Sequence, residues 1–359
     1  MLERFEKYFD EWKVVGSFPS GWGPEASDPK RNFPISEKAN LELVLAHKKP
    51  MYMATMMGMT AFSPRLVVDN AVRAWVIEND PILPGADIEG GEDMFGVFWE
   101  YVPITGGSMV RPGNPKIPDI TRWEDFIAFP DLDSWDWEGS SAANEKFFSE
   151  DRMMRVWLMN GLNERIISLM DFTNVMIAYV DEDMKPGVHR FFDALCDFYD
   201  DLIARFRQYY HADVLMFNDD WGTQRGPQFS IDTAREMLVP YIRRIVESCH
   251  KNNMYFELHC CGKNDMIAPA FAEAGVDLWV PQEDVNDFDL LYRLIGDKVL
   301  LGMLLENDPE MSDEELFSLA EQYVDKYGKS GFVLFHGGFV PNDRLSEYIY
   351  YLSREAYDE

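Results

Sequence analysis

Basic residues are scarce in this chain. Against 63 Asp and Glu it carries 33 Lys and Arg, a formal net charge of −30 over 359 residues. Repulsion on that scale opposes docking on nucleic acid or on an anionic membrane face, so neutral, cationic or protein partners are expected instead. The chain also lacks any uncharged apolar run of about 18 residues, the length a membrane span needs. Its first segment, Met1 to Lys13, is charged throughout. Neither a membrane span nor a secretory leader is expected, and the expected location is the cytoplasm. Only four cysteines occur, Cys196, Cys249, Cys260 and Cys261, with no framework spacing. A bridge between the adjacent Cys260 and Cys261 would be strained, so reduced thiols are expected.

Glycine motifs for phosphate are missing as well. Gly90-Gly91 and Gly106-Gly107 lack the spacing of a dinucleotide fingerprint, and Gly328-Lys329-Ser330 fails as a phosphate loop because Tyr323 stands where glycine is required. No Gly-x-Ser-x-Gly elbow with credible partners is present.

What remains is a chain that is 47% hydrophobic and long enough for two ordinary domains or one large barrel. Its 20 methionines and 14% aromatic residues are read as core filling. Residues 1–50, with the loop Gly16 to Pro24, are read as an arm or lid. Residues 51–57 are read as a first buried strand, and the stretch from there to about Gly139 as poor in regular elements. Beyond it a strand–helix beat appears. Strands are expected at 213–218, 254–260, 276–280, 298–304 and 331–336, and helices at 187–211, 231–252, 266–273, 287–295, 312–328 and 342–354. Short apolar strands alternating with helices predict parallel βαβ units, and the count and length favour one α/β TIM (β/α)8 barrel with extra amino-terminal structure, a single unit over 1–359.

The strand ends that lead into helices form the working face of such a barrel. There the chain places Asp219-Asp220-Trp221, His259-Cys260-Cys261, Pro281-Gln282-Glu283, Glu306-Asn307-Asp308 and His336-Gly337-Gly338. In an extended segment alternate side chains share a face, so Glu257, His259 and Cys261 project together while Leu258 and Cys260 point away. An imidazole beside a thiol suits zinc, although a buried cysteine and a core histidine read equally as packing. His336 is the best further ligand, ahead of Glu257 and Glu283. Asp219 and Asp220 fit proton transfer, substrate binding or orientation of a metal-bound histidine, or else loop charge, with Asp232 available to cap the next helix.

Taken together, these segments resemble the uroporphyrinogen decarboxylase superfamily, especially its cobalamin-dependent methyltransferase branch. The resemblance is carried by Asp93-Met94-Phe95-Gly96-Val97-Phe98-Trp99, Asp125 to Asp131, Asn218 to Gln224, Leu258-His259-Cys260-Cys261-Gly262, Pro281-Gln282, Asp284 to Asp287 and Gly337-Gly338. It implies a zinc-dependent methyltransferase that moves a methyl group between a corrinoid (cobalamin) on a carrier protein and a small donor or acceptor such as a thiol, a folate or a methoxylated or methylated compound. It also implies zinc on His259, Cys261 and His336, with His336 standing where the family has a later cysteine. Asp219, Asp220 and Gln224 take catalytic roles in this scheme, while Trp221, Gln282 and Glu257 face substrate, and a homodimer is expected. The alternatives are a metal-free decarboxylase-like lyase, and a non-catalytic corrinoid- or ligand-binding module. Decarboxylases of the family clamp propionates with an amino-terminal arginine motif, where this chain has Met56-Met57-Gly58-Met59-Thr60.

Overall fold

Short apolar runs become the staves of one parallel sheet. In the computed structural model, which describes residues 2–20, 22, 26–85, 88–338 and 342–358, eight strands share that sheet. They are β1 (Ala54–Thr55), β2 (Met59–Phe62), β3 (Met153–Leu158), β4 (Val214–Asn218), β5 (Tyr255–His259), β6 (Leu278–Trp279), β7 (Leu300–Leu304) and β8 (Leu334–His336), hydrogen-bonded in the order β1-β8-β7-β6-β5-β4-β3-β2. The two edge strands, β1 and β2, are separated in the chain only by the 3-10 turn Met56–Gly58. A three-residue turn spans roughly 6 Å, so the sheet must curl until its edges nearly meet. The expected TIM-barrel architecture is therefore present, with no helix between the first two strands.

Alternation along each strand sorts the side chains into two sets. Ala54, Met59, Met153, Val214, Leu278, Leu300 and Leu334 point inward at the strand starts and pack as one plug with Leu41 and Val44 of helix α1 (Glu37–Leu45). The opposite set, including Val156, Leu158, Phe217, Phe256, Leu258 and Phe335, packs in the main core with the surrounding helices. Phe217 shows how: its ring lies 5.6 Å from Tyr199 and 5.5 Å from Phe256. Burying one such side chain stabilises the fold by about 1.5–3 kcal/mol. The covering helices are α2 (Leu162–Met170), α3 (Lys185–Tyr210), α4 (Val239–Lys251), α5 (Ala268–Ala274), α6 (Phe288–Ile295), α7 (Asp313–Tyr327) and α8 (Asp343–Asp358). Their starts are set locally, as at α7, where Ser312 and Glu315 form a reciprocal capping box.

Several expectations change. The strand expected at 51–57 is broken by the Met56–Gly58 turn into β1 and β2. The stretch expected to be irregular carries an antiparallel sheet of Gly90–Glu92, Phe98–Val102 and Gly107–Val110. Strand β3 and helix α2, which follow it, were absent from the expected beat. Ser230, not Asp232, caps the helix Ile231–Met237. Residues 1–50 divide: Leu2–Tyr8 packs on α8 through Phe5 and Tyr351, α1 seals the barrel floor, and a hairpin pairs Val14–Pro19 with Ser27–Arg31. Of the loop 16–24, Gly21, Gly23 and Pro24 lie outside the described residues. Asp93, from the first resembling motif, is an anchor: it accepts from the backbone amides of Phe95 and Val97 at 2.9 Å and is ion-paired with the fully buried Arg165, which also pairs with Asp69.

Candidate active site

Strands β4 and β5 end side by side, with Asn218 in register with His259. The two loops beyond them cross at glycines. Gly262 has φ +85°, and a Cβ added there would sit 2.5 Å from the carbonyl carbon of Gly222. This close backbone crossing lets Asp220 reach the other loop, where its Oδ1 accepts the amide N–H of Cys261 at 2.6 Å. His259 Nε2 lies 3.2 Å from Cys261 Sγ, and ligand atoms of Asp220, His259 and Cys261 all fall within 4.8 Å of one another.

Burial holds the His259 imidazole below its usual value, against the opposing pull of Asp220 and Glu257. A neutral ring is the form that binds metal. Burial, followed by the charge of Asp220, pushes the Cys261 thiol well above its usual range. Left alone it is a thiol; a divalent cation would displace its proton.

The donor set fits zinc. With Zn–S and Zn–N bonds of about 2.3 and 2.0–2.1 Å, tetrahedral geometry places the two ligand atoms about 3.5 Å apart, close to the 3.2 Å between His259 and Cys261. Oxygen, nitrogen and sulfur donors in one site are characteristic of this borderline-soft ion. Three protein ligands would leave a position for substrate.

The other expected residues fall in different places. Asp219 points the opposite way from Asp220: fully buried, it accepts the Glu164 amide at 3.0 Å and the Trp221 indole N–H at 2.8 Å. It caps α2, whose own cap residue is Gly161, where a Cβ would come within 2.5 Å of the Asp219 Cβ. Burial pushes the Asp219 carboxyl up to about 7. Trp221, expected toward substrate, is 0% exposed and packs 5.3 Å from Phe271, so it braces Asp219 from the core. Gln224 is exposed and bonds Gln282 at 3.2 Å, while the Gln282 side-chain oxygen accepts the Gly262 amide at 2.8 Å. Glu257 faces the barrel interior but is ion-paired with Arg155. His336 at the end of β8 accepts the Gly338 amide at 3.3 Å through Nδ1 and stands outside the Asp220–His259–Cys261 group. Asp220, rather than His336, lies within 4.8 Å of the ligand atoms of His259 and Cys261.

Three residues went unnoticed in the sequence. Glu164 lies in the first turn of α2, bonded to Asn218 and to Arg73 at 3.3 Å. Burial pushes its carboxyl up to about 8, Arg73 opposing and Asp220 and Asp219 adding to the rise. Arg73 also donates to Asn160 at 2.8 Å. Arg155 reaches past β4 to Glu257, and only the alternation of β3 with Trp157 would have placed it inside.

Residues 168–345 match the model of the uroporphyrinogen decarboxylase (URO-D) family. A methyltransferase from Methanosarcina mazei is similar in structure, with a TM-score of 0.55 and 16% identity over 90% of this chain and 98% of that one. Weaker likenesses are a putative lyase/mutase from Burkholderia cenocepacia (TM-score 0.30, 13% identity, 63% of this chain and 67% of that one) and a chitinase from Chromobacterium violaceum (TM-score 0.34, 9% identity, 55% and 78%). No curated protein matches the chain. The family match over residues 168–345, the shared barrel and the His259–Cys261 segment within the matched residues make the chain similar to the uroporphyrinogen decarboxylase superfamily.

Proposed function

We propose that the protein is a zinc-dependent methyltransferase, moving a methyl group between a corrinoid on a partner protein and a small donor or acceptor: a thiol, a folate or a methoxylated or methylated compound. The observation that carries this reading is the grouping of Asp220, His259 and Cys261 within 4.8 Å at the carboxyl ends of β4 and β5. The fold shared with the Methanosarcina mazei methyltransferase supports the reaction class.

Asp220, His259 and Cys261 would hold zinc. Bound there, zinc lowers the pKa of a ligated thiol or polarises the leaving group of a methyl donor. The chain's own residues do the rest. Neutral His259 offers its lone pair without first losing a proton. Glu164, still largely protonated at neutral pH, is held by Arg73 and Asn218 at the same end of the barrel and is the group suited to keep or pass a proton as substrate changes charge. Gln282 and Gln224 brace the Gly262 loop at the rim.

Porphyrin decarboxylation is disfavoured by charge. Arg155 is ion-paired with Glu257, and the Arg73 guanidinium is taken up by hydrogen bonds to Asn160 and Glu164, so neither is free to clamp a propionate. The test is demethylation of methylcobalamin by small thiols, followed by absorbance. Wild type should turn over, and Cys261→Ala should be slower by about 100-fold or more. Equal rates in the two proteins would overturn the reading.

A further inference from the structure

The turn that carries Cys261 is gathered around one buried side chain. Asn264, 0% exposed, aims its Nδ2 at the carbonyl oxygens of Cys261 at 2.9 Å, Gly262 at 3.2 Å and Cys260 at 3.4 Å, and at Cys260 Sγ at 3.4 Å. A flipped amide would set its oxygen against those three carbonyls, so its sense is fixed. Carbonyls drawn inward leave the amides facing out, where Cys261 donates to Asp220 at 2.6 Å and Gly262 to Gln282 at 2.8 Å. The same arrangement leaves Asn264 Oδ1 without a partner, under the backbone of Gly222, where an added Cβ would stand 2.8 Å from it. An unpaired buried acceptor is costly, and here the cost is set against a turn held in one conformation.

A second asparagine grips the turn from the next strand's loop. Asn286 lies between β6 and α6, beside Asp287, the cap of that helix. Its Oδ1 accepts the Asn264 backbone N–H at 2.8 Å, and its Nδ2 donates to the carbonyls of Gly262 at 2.9 Å and Gln282 at 2.7 Å. On the opposite side the Lys263 amide donates to the Thr223 carbonyl at 2.8 Å. The loops after β4 and β6 therefore hold the turn between them.

We infer that Asn264 and Asn286 are positioning residues that fix the Cys260–Gly262 turn, and with it the Cys261 thiol beside His259, before metal arrives. The inference rests on the proposed metal site and names what orders it. A ligand ordered in advance loses no loop entropy on binding, so metal affinity should depend on two side chains that touch no metal.

Amide hydrogen exchange in metal-free protein tests this apart from zinc and turnover. In Asn286→Ala the Cys261 and Gly262 amides should exchange about tenfold faster than in wild type, with Phe217 of β4 and Leu258 of β5 unchanged, because only local hydrogen bonds are lost. Asn264→Asp keeps the shape but sets a carboxylate against three carbonyls, and it should loosen the turn further; if that variant fails to fold, Asn286→Ala decides. Competition with a chromophoric chelator should show zinc binding about 10–100-fold weaker in each folded variant, and the thiolate-to-cobalt charge-transfer band of cobalt-loaded protein should weaken. A residue that only stabilised the fold would lower the denaturation midpoint and leave affinity and band as in wild type. Unchanged exchange, or faster exchange with wild-type affinity and band, would overturn the inference. Wild type that takes no zinc while the exchange pattern holds would instead count against the metal site alone.

Discussion

Asp219 and Asp220 are neighbours with opposite tasks. One carboxylate is turned outward to cap α2, the other inward to Cys261. The chemical character of this pair was legible in the sequence; the division of labour was not, because it depends on which way the chain faces after leaving β4. Likewise His259 and Cys261 could be paired from alternation alone, while the third member came from a loop 39 positions upstream of His259 that only folding brings near. Glu164 was invisible for a related reason, since its environment is made by Arg73 and Asn218. Its raised carboxyl has a consequence for stability. The folded protein keeps a proton to about pH 8 that the unfolded chain gives up near its ordinary 4.5. The native state therefore binds more protons between those values, and stability falls as pH rises through the window. Glu164→Gln should flatten that fall, which urea titrations at pH 5, 6.5 and 8 would measure. An unchanged slope would show that Glu164 titrates normally.

At the scale of elements, the strands easiest to read were those flanked by amphipathic helices, β4, β5, β7 and β8. Strand β3 was missed because Arg152 stands just before it and Arg155 interrupts it. Both are made acceptable only by partners far along the chain: Arg152 pairs with Asp28 and Glu37, and Arg155 with Glu257. A charge that is neutralised by tertiary contact looks, in one dimension, like a solvated one. The broken first stave was also hidden, since Met51 to Met57 carries no charge and the turn at Met56–Gly58 has no proline to mark it. The crossing of the β4 and β5 loops rests on Gly262. In Gly262→Ala, a left-handed φ and a clash with Gly222 should cost at least about 2 kcal/mol and pull Cys261 away from Asp220. The expected result is a lower midpoint in denaturant together with weaker zinc binding. A variant as stable and as metal-competent as wild type would contradict the crossing.

For the whole molecule, composition was a sound guide to architecture class and to charge. An excess of 63 acidic over 33 basic residues stores repulsion in the compact state. Raising NaCl from 10 to 500 mM, which shortens the screening length from about 30 Å to a few ångströms, should raise the thermal midpoint. A midpoint that falls with salt would mean that the surface ion pairs outweigh the repulsion. The central claim is more local, that Asp220, His259 and Cys261 form a zinc site without His336. Elemental analysis of zinc-reconstituted protein tests it most directly. About one zinc per chain is expected in wild type and in His336→Ala, with loss in Asp220→Ala, His259→Ala and Cys261→Ala. Zinc-free wild type, or zinc that survives His259→Ala and Cys261→Ala, would contradict it.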